Sequence, residues 1–248
     1  MSEDLSITVL GCSGSYAAAG EACSGYLVRT ASATIWADCG PGTLATLQEQ
    51  CSLADVDVIV VSHHHPDHCA ELPVVYNAAK YYLGIERLTV VCTADVRRVT
   101  DAFHPDLDSS DLFDWVIVED GSTYEVGDVV IDFSRTDHPV ETLAMRFSSG
   151  GRSIVYTSDT GPGWSLDAFD GAPDIVVGEG TLLDDGQGAG VPHVSCRWLA
   201  EQATAVNAGT LVVTHVPPGA DPPAHLAEAD ASFDGVVELA RTGLTVST

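Results

Sequence analysis

Short apolar or alternating runs punctuate the first half of the chain at Ile7-Thr8-Val9-Leu10, Tyr26-Leu27-Val28, Thr34-Ile35-Trp36-Ala37, 56–61 and Leu88-Thr89-Val90-Val91. The first four are bounded on at least one side by Gly, Ser or Asp, the pattern of strands delimited by turns. Helical spacing intervenes at 43–50, 70–83 and 94–103, so strand and helix alternate. A second set follows, with strands expected at 129–133, 143–147, 153–157, 174–177 and 210–214 and helices at 195–207 and 224–233. Two strand-rich halves with interspersed helices predict a four-layer α/β (α+β) arrangement, two sheets face to face with helices on their outer faces. With 45% hydrophobic residues over 248 positions and no linker-like break, one domain spanning 1–248 is expected. The Gly- and Asp-rich stretch 183–190 reads as a mobile loop beside a site rather than a boundary.

No apolar run reaches the length of a membrane span, and Met1-Ser2-Glu3-Asp4 has neither the basic start nor the apolar stretch of a secretory signal. A soluble, cytoplasmic protein is the expectation. Seven cysteines are scattered without Cys-x-x-Cys spacing, which predicts buried free thiols rather than a disulfide framework or a thiolate zinc site. Cys69, next to His68, reads as a small core residue. Thirty-six acidic residues oppose ten basic ones, for a formal charge of -26. Such a field repels a polyphosphate backbone, so nucleic acid is an unfavoured partner; a solvated acidic surface serves solubility or a salty cytoplasm equally.

The densest chemistry lies in Ser62-His63-His64-His65-Pro66-Asp67-His68, immediately after the apolar run 56–61. A buried strand would deliver His63 and His65 to one side of an extended segment, with Asp67 and His68 following in the turn that opens the next helix. Two adjacent metal ions suit that geometry. A surface histidine tract is the competing use, although an ordered His-x-His-x-Asp-His behind a strand is the more specific pattern. Further on, His138, Asp159 and His215 each end an apolar strand signal and precede a turn, where a rigid scaffold can converge distant residues.

These motifs, in this order over nearly the full length, resemble the metallo-beta-lactamase fold superfamily and its αββα sandwich. The resemblance implies that His63, His65 and His138 hold one divalent ion and Asp67, His68 and His215 a second, with Asp159 bridging them. Asp38, in Trp36-Ala37-Asp38-Cys39-Gly40, matches the family's early Asp, which supports the site from behind; an ordinary turn or helix-cap acid is its competing use. The bridging position is Asp, where the true lactamases commonly carry cysteine, so beta-lactam hydrolysis is disfavoured. Only 33 residues follow His215, too few for the C-terminal helical domain of glyoxalase-type thioesterases.

Val9-Leu10-Gly11-Cys12-Ser13-Gly14-Ser15, Cys69-Ala70-Glu71-Leu72-Pro73, Ser158-Asp159-Thr160-Gly161 and Thr214-His215-Val216-Pro217-Pro218 resemble the ribonuclease Z-like branch, and within it small actinobacterial cyclic nucleotide phosphodiesterases. Many ribonucleases Z insert a transfer-RNA-grasping arm between the equivalents of His138 and Asp159; here only 20 residues intervene. The implied substrate is a small phosphodiester such as 3′,5′-cyclic AMP, attacked by water without a protein nucleophile, rather than transfer RNA. Candidate catalytic residues are Asp67, Asp38 and His193. A histidine near His193 faces the substrate phosphate in this branch, where it would stabilise charge or protonate the leaving oxygen; the competing reading is a residue that merely precedes a helix capped by Ser195. His64, His104 and His225 read as surface or packing residues. Zinc, manganese and iron all suit the ligand set, zinc first. A lactonase or thioesterase on the same site, or a metal-binding regulatory protein without turnover, are the rival functions, and a homodimer is compatible with the composition.

Overall fold

A computed structural model of the chain describes residues 5–103, 108–187 and 190–248. Its first sheet is built from β1 (Ser6–Gly11), β2 (Gly25–Arg29), β3 (Thr34–Ala37), β4 (Val58–Val61), β5 (Leu88–Cys92), β6 (Phe113–Ile117) and the distant β14 (Thr245–Ser247). Helices α1 (Thr43–Gln50), α2 (Pro66–Cys69), α3 (Leu72–Ala78) and α4 (Ala94–Phe103) punctuate those strands. The second sheet comprises β7 (Thr123–Val126), β8 (Val129–Arg135), β9 (Leu143–Ser149), β10 (Arg152–Tyr156), β11 (Ile175–Glu179), β12 (Thr210–Thr214) and β13 (Val236–Leu239), with α5 (Cys196–Ala205) and α6 (Pro222–Asp230). Spatial orders are β14-β1-β2-β3-β4-β5-β6 and β13-β12-β11-β10-β9-β8-β7. Both sheets are mixed: β3 to β6 and β10 to β13 run parallel, and the remaining pairings are antiparallel.

The expected four layers are present, and side-chain alternation shows why. In β3 and β4, Ile35, Ala37, Val58 and Val60 enter the core between the sheets, while Trp36, Ile59 and Val61 point into a separate core under the helices. Both faces are dry, so these strands read as continuous apolar runs. On β8 only Val129, Ile131 and Phe133 are buried, and the intervening residues are half-exposed, which produces strict alternation. The third core, on the outer face of the second sheet, packs Leu199, Ala200 and Ala203 of α5 against Val176, Leu211 and Val213.

Several elements depart from the expectation. The run at 56–61 is a strand only from Val58, because Leu53–Asp55 forms a capped 3-10 turn that leads into it. The helix expected at 70–83 begins earlier, at Pro66, and is divided into α2, α3 and a π turn over Ala79–Leu83. Between α2 and α3, Glu71 turns back to accept from the backbone N–H of Gly42 at 2.8 Å and from that of Leu44. The N-terminus of α1 has no side-chain cap of its own, so this distant carboxylate satisfies donors that a local residue would otherwise serve. Strands β6, β7, β13 and β14 were outside the sequence expectation; they are short edge or near-edge strands with polar interruptions. The β9–β10 hairpin turns on Gly150-Gly151 at φ 58° and 82°, positive values that both central positions of a type I′ turn require.

Ser195 caps α5 as expected, accepting from the Trp198 N–H at 3.2 Å. The seven cysteines are free, and Cys69 is a core residue. Of the 183–190 loop, 184–186 form a short 3-10 turn, and 188–189 lie outside the described residues, as does His104. No helix among the described residues is long and apolar enough to cross a membrane.

Candidate metal centre

Strand ends deliver the candidate residues to one place. Asp38 follows β3, His63, His65, Asp67 and His68 follow β4, His138 follows β8, Asp159 follows β10 and His215 follows β12. Ligand-capable atoms of His63, His65, His138 and Asp159 lie within 4.8 Å of one another, as do those of Asp67, His68 and His215. A third grouping joins Asp159 and His215 to His193. The structure thus brings together all nine residues singled out in the sequence.

Asp159 lies between the two clusters. Its Oδ2 is 3.7 Å from His63 Nε2 and 3.9 Å from His138 Nε2, whereas Oδ1 is 3.2 Å from His68 Nε2 and 3.4 Å from His215 Nε2. In the first cluster His138 Nε2 and His65 Nδ1 face each other at 3.2 Å. In the second, Asp67 Oδ2 is 3.3 Å from His215 Nε2 and accepts from the Ser15 N–H at 2.8 Å.

Four of the histidines have their other ring nitrogen held. His63 Nδ1 meets Ser62 Oγ at 3.0 Å, His68 Nδ1 meets Asp38 Oδ2 at 2.7 Å, His138 Nδ1 meets the Pro192 carbonyl at 3.2 Å and His215 Nδ1 meets Thr181 Oγ1 at 2.9 Å. Such contacts fix ring orientation and leave one nitrogen for a cation. Buried His63 Nε2, His68 Nε2 and Asp159 Oδ1 have no hydrogen-bond partner within the protein. Orphaned polar atoms at the meeting point of imidazoles and carboxylates are what a divalent metal site requires, so the donor set fits the group.

Burial lowers the imidazoles of His63, His65 and His138 below their ordinary range, so their lone pairs are free at neutral pH. Burial alone would raise the carboxyls of Asp67 and Asp159, but His215 and His68 hold both below the usual range and thus ionised. For His68, the carboxylates of Asp159 and Asp38 overcome burial and raise it well above its ordinary value in the metal-free protein.

Asp38 is fully buried and is neither a turn acid nor a cap. It accepts from the Ser62 N–H, Ser62 Oγ, His68 Nδ1 and Tyr156 Oη at 2.7 to 2.9 Å, tying three elements to one ligand-capable histidine. His193 sits with its ring 5.4 Å from that of His215 and 5.6 Å from that of His138, and its Nδ1 is 3.0 Å from Glu179 Oε2. Glu179, Thr181, Ser62 and Tyr156 were missed in the sequence. For Glu179 a signal existed: an acid closing the otherwise apolar buried strand β11. His225 is a buried packing residue, as expected, and His64 is half-buried, facing away among Pro66, Cys69, Pro73 and Val99.

Of the five non-glycine residues with positive φ among the described residues, four line this site: Ser15, Asp38, Ser158 and His215, at φ 53° to 64°. Backbone in this region costs roughly 1–2 kcal/mol per non-glycine residue. It concentrates where side chains must be aimed rather than merely packed.

A family model described as a beta-lactamase superfamily domain matches residues 33–216. The chain belongs to the metallo-beta-lactamase superfamily. The probable metallo-hydrolase YhfI of Bacillus subtilis is 29% identical over 247 residues, covering 96% of this chain and 98% of that protein. The crystal structure of YhfI aligns at a TM-score of 0.89 with 26% identity, over 99% of this chain and all of the other. Ribonuclease Z of Methanopyrus kandleri is 26% identical over 284 residues, with 99% of each chain covered. A diphosphatase of the PhnP family shares the fold at a TM-score of 0.75 and 17% identity, over 98% of this chain and 97% of that one. Within this family, with its paired His/Asp clusters, the protein is a metal-dependent hydrolase.

Proposed function

We propose that the protein is a phosphodiesterase that uses two divalent cations, zinc first among them, to cleave small phosphodiesters such as 3′,5′-cyclic AMP to the 5′-monophosphate. One observation carries this reading: the two oxygens of Asp159 face two different histidine clusters, the arrangement of a bridging carboxylate. His63, His65 and His138 would hold one cation, and Asp67, His68 and His215 the other. Bound there, the cations would polarise phosphoryl oxygens and make a water acidic enough to attack at neutral pH.

The protein's own groups supply the remainder. Asp38 keeps His68 in one orientation. Asp67, ionised in the same cluster, would accept the proton of the attacking water. Burial pulls the His193 imidazole down, but its contact with Glu179 more than offsets that and leaves it above the ordinary range. A protonated His193 beside the clusters would stabilise charge on the phosphate. As water oxygen bonds to phosphorus and the bond to O3′ breaks, the same group would give its proton to O3′. The charge of -26 argues for a compact substrate, with its one phosphate neutralised locally, over transfer RNA. A single cytoplasmic domain over 1–248 is part of the same reading.

The test is hydrolysis of 3′,5′-cyclic AMP by protein loaded with manganese or zinc, beside Asp159→Ala. Metal-dependent AMP release, reduced roughly a hundredfold or more in the variant, is expected. An undiminished rate in the variant would overturn the bridging assignment.

A further inference from the structure

Glu179 closes β11 and is 1% exposed. Its oxygens lie 3.1 and 3.0 Å from His193 Nδ1, Oε1 accepts from the Thr160 N–H at 2.5 Å, and Oε2 accepts from Thr181 Oγ1 at 2.6 Å. The Thr181 hydroxyl donates to Oε2, the shortest of its contacts. Its one hydrogen thus committed, that hydroxyl offers only lone pairs to His215 Nδ1, 2.9 Å away. Nδ1 therefore carries the ring hydrogen, and Nε2 keeps its lone pair towards Asp67 Oδ2 and Asp159 Oδ1 at 3.3 and 3.4 Å. The His215 carbonyl competes for the same hydroxyl hydrogen at 3.3 Å, a longer contact to an uncharged acceptor.

The spacing that permits this is local. Glu179 and Thr181 flank Gly180, whose missing Cβ would sit 2.6 Å from Cys196 Sγ and 2.7 Å from Val213 Cγ1. Residues two apart at the end of a strand face the same way, so Glu179 and Thr181 address the site together while Gly180 packs against α5.

We infer that Thr181 is a positioning residue that relays the Glu179 carboxylate to His215 and thereby strengthens cation binding at the Asp67, His68 and His215 cluster alone. One buried acid then orients both the imidazole that faces substrate and an imidazole that faces a cation. The inference rests on the two-cation reading above.

Metal-free protein is titrated with zinc against a chromophoric chelator, which reads stoichiometry and affinity without turnover. Thr181→Val is expected to bind one of two ions about 10–100-fold more weakly and the other as the wild type does, while Thr181→Ser stays within about twofold. Glu179→Gln weakens the same ion, and combining it with Thr181→Val adds nothing at that position, because the relay is already cut. Thermal unfolding of each metal-free variant confirms folding, and Thr181→Ala replaces a Val variant that does not fold. Wild-type affinity for both ions in the hydroxyl-free variant, or additive effects in the double variant, would overturn the relay. A wild-type protein that takes up fewer than two ions would instead remove the two-cation reading itself, and the relay with it.

Discussion

Asp38→Asn is a sharp probe of how the site is held, because it changes one atom and little else. Asn tolerates the left-handed backbone that Asp38 adopts at φ 58°, so no new strain arises. Oδ1 accepts from the Ser62 N–H, and Oδ2 from Ser62 Oγ, His68 Nδ1 and Tyr156 Oη. Either orientation of the amide costs a contact: its NH2 meets the Ser62 N–H, a donor that cannot turn away, or it meets His68 Nδ1, which accepts only once the ring gives up the hydrogen it donates to Asp38. One buried hydrogen bond to a charged acceptor is therefore lost, at about 1.5–3 kcal/mol, and the others weaken as the acceptor becomes neutral. The expected loss is about 2–4 kcal/mol, or roughly 5–15 °C in the midpoint of a chain this size. Thermal and urea unfolding of metal-free protein measure it. A loss below about 1 kcal/mol would refute the claim that this buried carboxylate holds its four donors more strongly than a neutral amide can.

Two further outcomes follow from the same geometry. A Cβ on Gly14 would lie 2.5 Å from the His215 carbonyl and 2.7 Å from its Nδ1, so Gly14→Ala should cost about 1–3 kcal/mol by overpacking and weaken cation uptake beside His215; wild-type unfolding and uptake would contradict it. His193 is held above its ordinary value of 6.5, so the stability it adds through Glu179 is complete below that pH and falls away as pH rises through the folded-state value. His193→Ala should accordingly destabilise metal-free protein more at pH 6 than at pH 9, and equal losses in melts at the two pH values would argue against a charged contact.

The residues that face the clusters were legible because their chemistry is dense and ordered. His63, His65, Asp67 and His68 fall in one short stretch, and His138, Asp159 and His215 each close a strand signal. Asp38 was legible through resemblance, although its hydrogen bonds to Ser62 and Tyr156 were not. Glu179 is one of 36 acids, and its one signal, an acid closing an apolar run, gains weight only once β11 is seen to be buried. Thr181 carries no chemical signal of its own. Among the strands, β14 escaped notice because it is a three-residue edge strand with only Val246 half-buried, too short to show an alternation.

By itself, the sequence determined which segments are extended and which are dry. Continuous apolar runs at Thr34–Ala37 and Val58–Val61 can be accommodated only where both faces are covered, and alternation at Val129–Arg135 only where one face is. It also determined the donor set, since no rearrangement of the chain changes which side chains can hold a cation. Only the tertiary structure decided which nitrogen is free in the imidazoles of His63, His68, His138 and His215. That choice belongs to Ser62, Asp38, the Pro192 carbonyl and Thr181, each brought in by backbone geometry or by another element. An imidazole's tautomer follows the partner of its other nitrogen, and except for Ser62 beside His63 those partners are distant in the chain.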